Sequence, residues 1–199
     1  MGNKGERTQT RMVESMLELI QTQGYTGAGL NAVTEHARVP KGSIYFHFPG
    51  GKATLGARAV ELAAQQLSDQ LAEAMANAES PRDVVESMVT ALIEMLVESD
   101  YRLGCPVSVV TLDASERSEV LRTACAVAFD SWITTLADYL ETQRHPRPQA
   151  WAMATTIVTS LEGTVILCRA HRSVEALRDT AAVLGSILDH ASSQTEALR

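Results

Sequence analysis

Two closely spaced chain breaks constrain this sequence more than any other feature. Pro40 and the run Pro49-Gly50-Gly51 enclose one short segment. Proline is tolerated in the first turn of a helix but cannot continue one, because it lacks the backbone N–H. We therefore predict a short helix over Lys41–Phe48 and, before it, another over Leu30–Ala37, with Val39 between them as a core residue. Two short helices joined by a tight turn are typical of a helix-turn-helix.

The second short helix carries hydrogen-bond donors and aromatic rings in place of a smooth apolar stripe, as does a helix that enters the DNA major groove. Phosphate contacts set register and salt-dependent affinity, whereas contacts to base edges set sequence preference. We predict that the DNA contacts are Tyr45, His47 and Lys52 to phosphates, Lys41, Gly42, Ser43 and Phe46 to base edges, and Asn31 to a phosphate or an adenine. The alternatives are that Tyr45 and Phe48 are core aromatics and that Lys41 and Lys52 are solvated surface charges.

Charge is distributed unevenly along the 199 residues, whose formal net charge is −7. Residues 1–58 hold seven basic and four acidic side chains, a net charge of +3, and the remaining residues carry −10. The acidic total excludes a protein that binds nucleic acid over its whole surface. A basic head on an acidic body is typical of a DNA reader with a separate body.

Helical periodicity continues through the rest of the chain, and 45% hydrophobic content suffices for a core. We predict an all-α fold of about nine helices: 7–23, the two short helices, 52–77, 82–98, 107–114, 118–141, 149–170 and 174–191, with residues 144–148 as a loop. The predicted domains are a helix-turn-helix DNA-binding domain over residues 1–51 and a helical ligand-binding and dimerisation domain over residues 52–199. Residues 52–77 form the helix that links them.

The last two predicted helices carry apolar residues at alternating spacings of three and four, which favours shallow packing as in four-helix bundles. The first of this pair has a second apolar stripe, so it must be covered on two sides. We predict a homodimer in which a partner chain covers one side. The predicted interface residues are Val158, Leu161, Val165, Leu177, Ala181, Leu184 and Leu188. The alternative is a fully buried central helix in a monomer.

Several other classes of protein find no support. Cys105, Cys125 and Cys168 are widely spaced and lack a CxxC motif, which favours a reducing compartment over disulfides or a metal site. The N-terminal residues lack the apolar stretch of a signal peptide, and Glu162 interrupts the longest apolar segment. No catalytic motif is present. We expect a cytoplasmic, non-enzymatic protein without cofactor, metal or membrane; an enzyme and a ligand-binding module without DNA activity remain competing classes.

The head resembles the DNA-binding domain of the TetR family of transcriptional regulators. The residues that carry the resemblance are Gly24-Tyr25, Leu30-Asn31-x-Val33 and Val39-Pro40-Lys41-Gly42-Ser43-Ile44-Tyr45-x-His47-Phe48. Phe48-Pro49-Gly50-Gly51-Lys52 and Gly104-Cys105-Pro106-Val107 resemble its LmrA/YxaF-like branch, which is often linked to drug-efflux genes. Two departures are Arg38, where members usually carry glycine in the turn, and Ala28-Gly29, where most have Ser or Thr as a helix cap.

The resemblance implies a homodimer on a palindromic operator and a small molecule bound within the C-terminal body. An apolar or aromatic effector that relieves repression is the function we expect; an activator of the same family is the alternative. The sequence offers a set of candidate ligand contacts that includes a methionine and two aromatic residues and could wall an apolar pocket: Leu92, Met95, Leu96, Cys105, Val109, Phe129, Trp132, Ile133 and Glu162. Glu162 can equally form an ion pair with Arg169, Arg172 or a partner chain.

Overall fold

The computed structural model describes the backbone of residues 2–197 and the side chains of residues 5–114 and 116–191. Over this range the chain has nine α-helices and no β-strand, which confirms the all-α prediction. The helices are α1 (Gly2–Gly27), α2 (Leu30–His36), α3 (Gly42–His47), α4 (Gly51–Asn77), α5 (Pro81–Glu98), α6 (Pro106–Ala114), α7 (Glu119–Thr142), α8 (Arg147–His171) and α9 (Glu175–Ala197), with a 3₁₀ turn at Ser115–Arg117.

The backbone divides into two compact units. Unit 1 comprises the chain up to Gln65 together with Cys105–Phe129, and unit 2 comprises Gln66–Gly104 and the chain from Asp130 onward. α1, α2, α3 and α6 lie wholly in unit 1, α5, α8 and α9 lie in unit 2, and α4 and α7 contribute to both. The units group residues by packing, so α6 joins the N-terminal helices. The functional domain boundary between residues 51 and 52 stays a prediction.

Unit 1 is built on α1, against which α2 and α6 pack. Each of its helices contributes apolar side chains that are at most 1% exposed, including Met12, Met16, Ile20, Val33, Ile44, Leu55, Val110 and Leu121. Burying a side chain of this kind stabilises a fold by about 1.5–3 kcal/mol. This core anchors the inner side of α3 and thereby sets the direction of its outer side.

Unit 2 is a helical layer in which α5 and α8 each pack against α9. α5 begins with a capping box: the Ser80 N–H donates to Asp83 Oδ2 at 2.8 Å, and the Asp83 N–H donates to Ser80 Oγ at 3.3 Å. Pro81 stands in the first turn, one residue before the predicted start of the helix, where its missing N–H needs no partner. Such a cap contributes about 1 kcal/mol to helix stability.

Among the described residues, α8 alone is long and apolar enough, by length and composition, to cross a membrane. The core helix of a soluble protein meets the same criteria. Eight of its side chains are buried against the rest of the chain, among them Leu161 and Cys168, which favours a core helix. α8 begins at Arg147, within the segment we predicted as a loop, because Pro148 fits the first helical turn.

The loop between α7 and α8 contains a buried histidine. His145 is 2% exposed, and neither ring nitrogen has a hydrogen-bond partner among the described residues. Burial lowers the pKa of His145, because desolvation penalises the charged imidazolium. The unfolded chain therefore binds more protons than the folded chain in the range below about pH 6.5.

We expect the free energy of unfolding to fall as the pH drops below about 6.5, and His145→Leu to reduce this fall. Chemical denaturation at pH 7.5 and at more acidic pH measures the difference between wild type and variant. His190→Leu, at an exposed position on α9, is the matched control. Equal pH dependence in wild type and His145→Leu would show that the buried ring does not contribute.

Candidate functional site

α3 presents two very different sides. Ile44 and Phe48, just beyond its end, are each 1% exposed, so Phe48 is a core aromatic. Tyr45 is 66% exposed and Phe46 is 81% exposed. The Phe46 ring meets the His47 ring edge-on, with centroids 5.0 Å apart and an interplanar angle of 89°. Exposed aromatics on a helix anchored from behind are typical of a binding surface.

The other candidate DNA contacts lie in the same unit. Asn31 is the second residue of α2 and is exposed, as are Lys41 and Gly42 at the start of α3. Ser43 and His47 are half-buried. Neither α2 nor α3 has a side-chain N-cap. The cap position of α2 is Gly29, which has no side chain, and that of α3 is Lys41, whose ammonium cannot accept a hydrogen bond.

The turn between α2 and α3 contains an arginine in a left-handed conformation. Arg38 has φ = +51°, which costs a non-glycine residue about 1–2 kcal/mol. Arg11 of α1 stabilises the turn, because its guanidinium donates to the Ala37 carbonyl and, at 3.2 Å, to the Arg38 carbonyl. The helix-turn-helix thus keeps its turn without the usual glycine and acquires a support from α1.

Arg38→Gly is expected to raise the free energy of unfolding by about 0.5–1 kcal/mol, because glycine adopts positive φ without strain but loses more backbone entropy on folding. Thermal denaturation would measure the change. Arg38→Lys keeps both the charge and the strained conformation and should leave stability unchanged. A lower melting temperature for Arg38→Gly would mean that contacts of the arginine outweigh its strain.

A histidine links α1 to α2. His36 Nδ1 lies 3.0 Å from Ser15 Oγ, and His36 Nε2 lies 3.4 Å from Glu18 Oε1. The His36 side chain is 41% exposed. Ser15 is 5% exposed. Through these two contacts, His36 of α2 joins Ser15 and Glu18 of α1 and stabilises the packing of the two helices.

Lys52 stands at the start of α4 with its ammonium directed to the end of α1. Nζ donates to the Thr26 carbonyl at 3.1 Å and lies 4.5 Å from the centroid of the Tyr25 ring. Burial lowers the pKa of Lys52, and the nearby Asp113 carboxylate opposes that shift. An ammonium has three donors, so the phosphate contact predicted for Lys52 remains compatible with this geometry.

Comparison with known protein families covers both parts of the chain. Residues 14–65 match the family described as bacterial regulatory proteins, tetR family. Residues 81–183, more than half of the chain, match the C-terminal domain of LmrA/YxaF-like transcriptional regulators. The chain belongs to the TetR family of transcriptional regulators. It is therefore a DNA-binding regulator, as its helix-turn-helix predicts.

Individual TetR-family relatives agree with this assignment. The HTH-type transcriptional regulator LmrA of Bacillus subtilis (strain 168) is 27% identical over 157 residues, covering 79% of this chain and 84% of that protein. The HTH-type transcriptional repressor DhaR of Mycobacterium sp. (strain GP1) is 26% identical over 171 residues, covering 83% of this chain and 84% of that protein. Both comparisons span nearly the whole regulator.

Solved structures share the fold. A regulatory protein TetR from Rhodobacter sphaeroides has a TM-score of 0.79 at 20% identity, covering 89% of this chain and 96% of that chain. The reduced form of NemR from E. coli has a TM-score of 0.76 at 23% identity, covering 91% of this chain and 97% of that chain. The TetR-family fold thus extends over both units of the chain.

The structure distributes the predicted effector contacts over both units of this TetR-family chain. Leu92, Met95, Leu96, Trp132, Ile133 and Glu162 lie in unit 2, and Cys105, Val109 and Phe129 lie in unit 1. Leu96 and Trp132 are buried, at 0% and 3% exposed. Glu162 is half-buried and has an interaction partner. Among the described residues, no group of three or more His, Cys, Asp or Glu side chains could hold a metal ion.

The predicted dimer residues lie mainly in the interior of unit 2. Val158, Leu161, Val165, Leu177, Leu184 and Leu188 are each at most 7% exposed within this one chain, and Ala181 is half-buried. These residues pack inside unit 2, where α8 meets α9 and α5. Leu184 and Leu188 nevertheless line a groove of about 160 Å³ between α8 and α9, so the assignment of these residues to a dimer interface stays a prediction. Periodicity identified a shared helix face but could not tell whether that face meets the chain's own helices or a second copy.

The exposed side of α8 and α9 carries the apolar residues that the sequence prediction omitted. We define this outer face as Thr156, Thr159, Gly163, Ile166 and Leu167 of α8 with Val183 and Ile187 of α9. Ile166, Leu167, Val183 and Ile187 are 48–59% exposed. Thr156 and Ile187 line one groove of about 160 Å³ between the two helices. The spacing of Val183 and Ile187 was the signal in the sequence that could have identified it.

Proposed function

We propose that this chain is a homodimeric repressor of the TetR family that binds a palindromic operator and is released by a small apolar or aromatic effector. The observation that carries the proposal is the outer side of α3, where Tyr45 and Phe46 are exposed while Ile44 and Phe48 anchor the helix in the core. A symmetric dimer presents two such helices, which predicts a palindrome.

The proposed DNA contacts divide into two roles. Tyr45, His47 and Lys52 bind phosphates and thereby set register, and the +3 charge of residues 1–58 favours approach to DNA. The start of α3 and Phe46 read base edges: Lys41 addresses guanine acceptors, Ser43 either type of base and Phe46 a thymine methyl. Gly42 lets the backbone approach, and Asn31 reaches a phosphate or an adenine.

The proposed dimer forms through the outer face of α8 and α9. The seven residues that define this face carry no charge, and four of them are large apolar side chains about half exposed. Exposed apolar side chains that are grouped together mark interaction sites. Gly163 leaves open space on this face, because no atom outside its chain neighbours and its own helix backbone lies within 4 Å of the position that a Cβ would take.

The proposed effector binds the body and shifts the spacing of the two heads. Trp132 and Met95 are the strongest candidates for contacts, since aromatic and thioether groups suit an apolar ligand. An effector that binds the DNA-free arrangement more tightly favours it, and by linkage operator DNA weakens effector binding by the same factor. Repression is also the role printed in the name of DhaR. We propose that the protein works in the bacterial cytoplasm, without cofactor.

Selection of genomic fragments by the purified protein, followed by footprinting, tests the proposal. We expect an inverted repeat protected in both half-sites. Tyr45→Ala should lower the affinity for operator DNA and for random DNA by a similar factor, as loss of a phosphate contact does. Val97→Ala, an exposed apolar position on α5, should bind as wild type does. A single asymmetric half-site would contradict the symmetric mode of binding.

Calorimetry on a panel of small molecules, with and without operator, tests the effector. We expect at least one apolar or aromatic compound to bind more weakly when operator is present. Trp132→Phe is a conservative change at a buried position. It should lower the affinity for this compound while leaving operator binding in the absence of ligand intact. A compound whose affinity is the same with and without operator would contradict release by the effector.

A further inference from the structure

The end of α1 contains a break that leaves a helical turn without a cap of its own. Gly24 adopts φ = 75° and ψ = 163°, outside the helical region. The chain then resumes one turn, in which the Ala28 N–H donates to the Gly24 carbonyl at 3.1 Å. Gly24 thus occupies the N-cap position of this turn. Glycine has no side chain that could accept from the first N–H groups.

Asp113 of α6 supplies the missing acceptor. The Thr26 N–H donates to Asp113 Oδ2 at 3.4 Å, across 87 residues of sequence. A Cβ on residue 24 would stand 2.9 Å from the same oxygen, so glycine serves both the positive φ and the approach of the carboxylate. α6 packs against α1 within unit 1. An acidic residue of one helix therefore caps the last turn of another.

The capped turn is also the one that holds Lys52. The Thr26 carbonyl accepts a hydrogen bond from Lys52 Nζ, and the Tyr25 ring lies under the same ammonium. Tyr25 is 9% exposed, so its ring is fixed by the core. The Asp113 carboxylate is close enough to act electrostatically on Lys52. Asp113, Thr26 and Lys52 thus connect α6 to the first turn of α4.

We propose that Asp113 is a positioning residue for DNA binding: by capping the turn at residues 24–27, it holds the Lys52 ammonium where it meets a phosphate. The inference rests on the proposed phosphate contact of Lys52. Asp113 itself does not touch DNA, since a carboxylate beside phosphates weakens attraction. Its contribution to affinity comes through Lys52, so α6 tunes the DNA contact from outside the helix-turn-helix.

Comparison of Asp113→Ala with Asp113→Asn isolates the cap. Both variants remove the same negative charge, and only asparagine keeps an oxygen that can accept from the Thr26 N–H. We expect Asp113→Ala to bind the operator about three- to tenfold more weakly per head than Asp113→Asn, the range that loss of one hydrogen bond implies. Circular dichroism checks that both variants are folded, and Asp113→Leu, which also lacks an acceptor, replaces Asp113→Ala if that variant is not.

The Lys52→Ala background tests whether Asp113 acts through Lys52. There, the two Asp113 variants should bind equally, with the same salt dependence as Lys52→Ala alone. A difference that persists in this background, or no difference in the wild-type background, overturns the inference. If Lys52→Ala alone changes neither operator affinity nor salt dependence, Lys52 does not contact a phosphate. This measurement needs no Asp113 variant, so it tests the proposed phosphate contact separately from the role of Asp113.

Discussion

Ile187→Glu on α9 is expected to convert the proposed dimer into monomers and to weaken operator binding by about 10²- to 10⁴-fold. The side chain is 48% exposed, so a charge is tolerated in the folded chain but not in an apolar interface. Operator affinity falls because a monomer binds one half-site with a single DNA-binding domain and loses the gain from two linked domains. Sedimentation velocity and gel-shift titration measure the two effects.

Val97→Glu on α5 is the matched control, because Val97 is 54% exposed and lies outside the outer face. It places the same charge on an exposed apolar residue and should leave both the dimer and operator binding intact. Ile187→Leu keeps an apolar side chain and should remain dimeric. An Ile187→Glu protein that sediments as a dimer would exclude the outer face of α8 and α9 as the interface.

Phe46→Ala is expected to weaken operator binding by about 1–3 kcal/mol per head, the range for a mismatch at one base pair of a specific site. Phe46 is 81% exposed, so its loss should leave the core unchanged. Deoxyuridine in place of thymidine removes only the methyl group that we assign to Phe46. At one thymine per half-site, deoxyuridine should therefore lower the operator affinity of the wild-type protein. The same replacement should not change the affinity of Phe46→Ala, as measured by gel-shift titration.

Phe46→Leu supplies the control, since leucine also packs against a methyl group and should keep part of the discrimination. Tyr45→Phe removes only a hydroxyl and should leave the thymine preference intact while lowering overall affinity. If wild-type binding is insensitive to deoxyuridine at every thymine of the operator, Phe46 does not read a methyl group. A uniform loss on all DNA sequences would instead assign Phe46 to the backbone contacts.

The helix-turn-helix was predictable because its signals are local. Pro40 and Pro49 limit helix length through their own covalent structure, and Gly24 ends the first regular helix through its positive φ. Arg38 also adopts the positive φ that the turn requires, although members of the family usually place glycine there. The proposed effector contacts stay a prediction, because Leu96, Val109 and Trp132 come from separate segments of the chain, and sequence spacing does not indicate which side chains share a pocket.

Periodicity predicted that α8 and α9 pack through shared apolar faces, and Leu161 and Leu184 are buried as such a seam requires. It did not reveal that the seam lies within one chain, because burial by the same molecule and by a second copy leave the same pattern in sequence. Ile187, on the opposite side, became a candidate only once its exposure was known.

The sequence by itself determined the all-α class, the short helices of the head and their donors and aromatics, since these follow from backbone chemistry and spacings of a few residues. Only the tertiary structure decided that His145 is buried without a hydrogen-bond partner among the described residues, that Arg11 supports the turn, and that Asp113 caps a turn 87 residues away. The physical reason is that desolvation and hydrogen bonding depend on which surfaces meet, and helical periodicity does not specify the partner of a face.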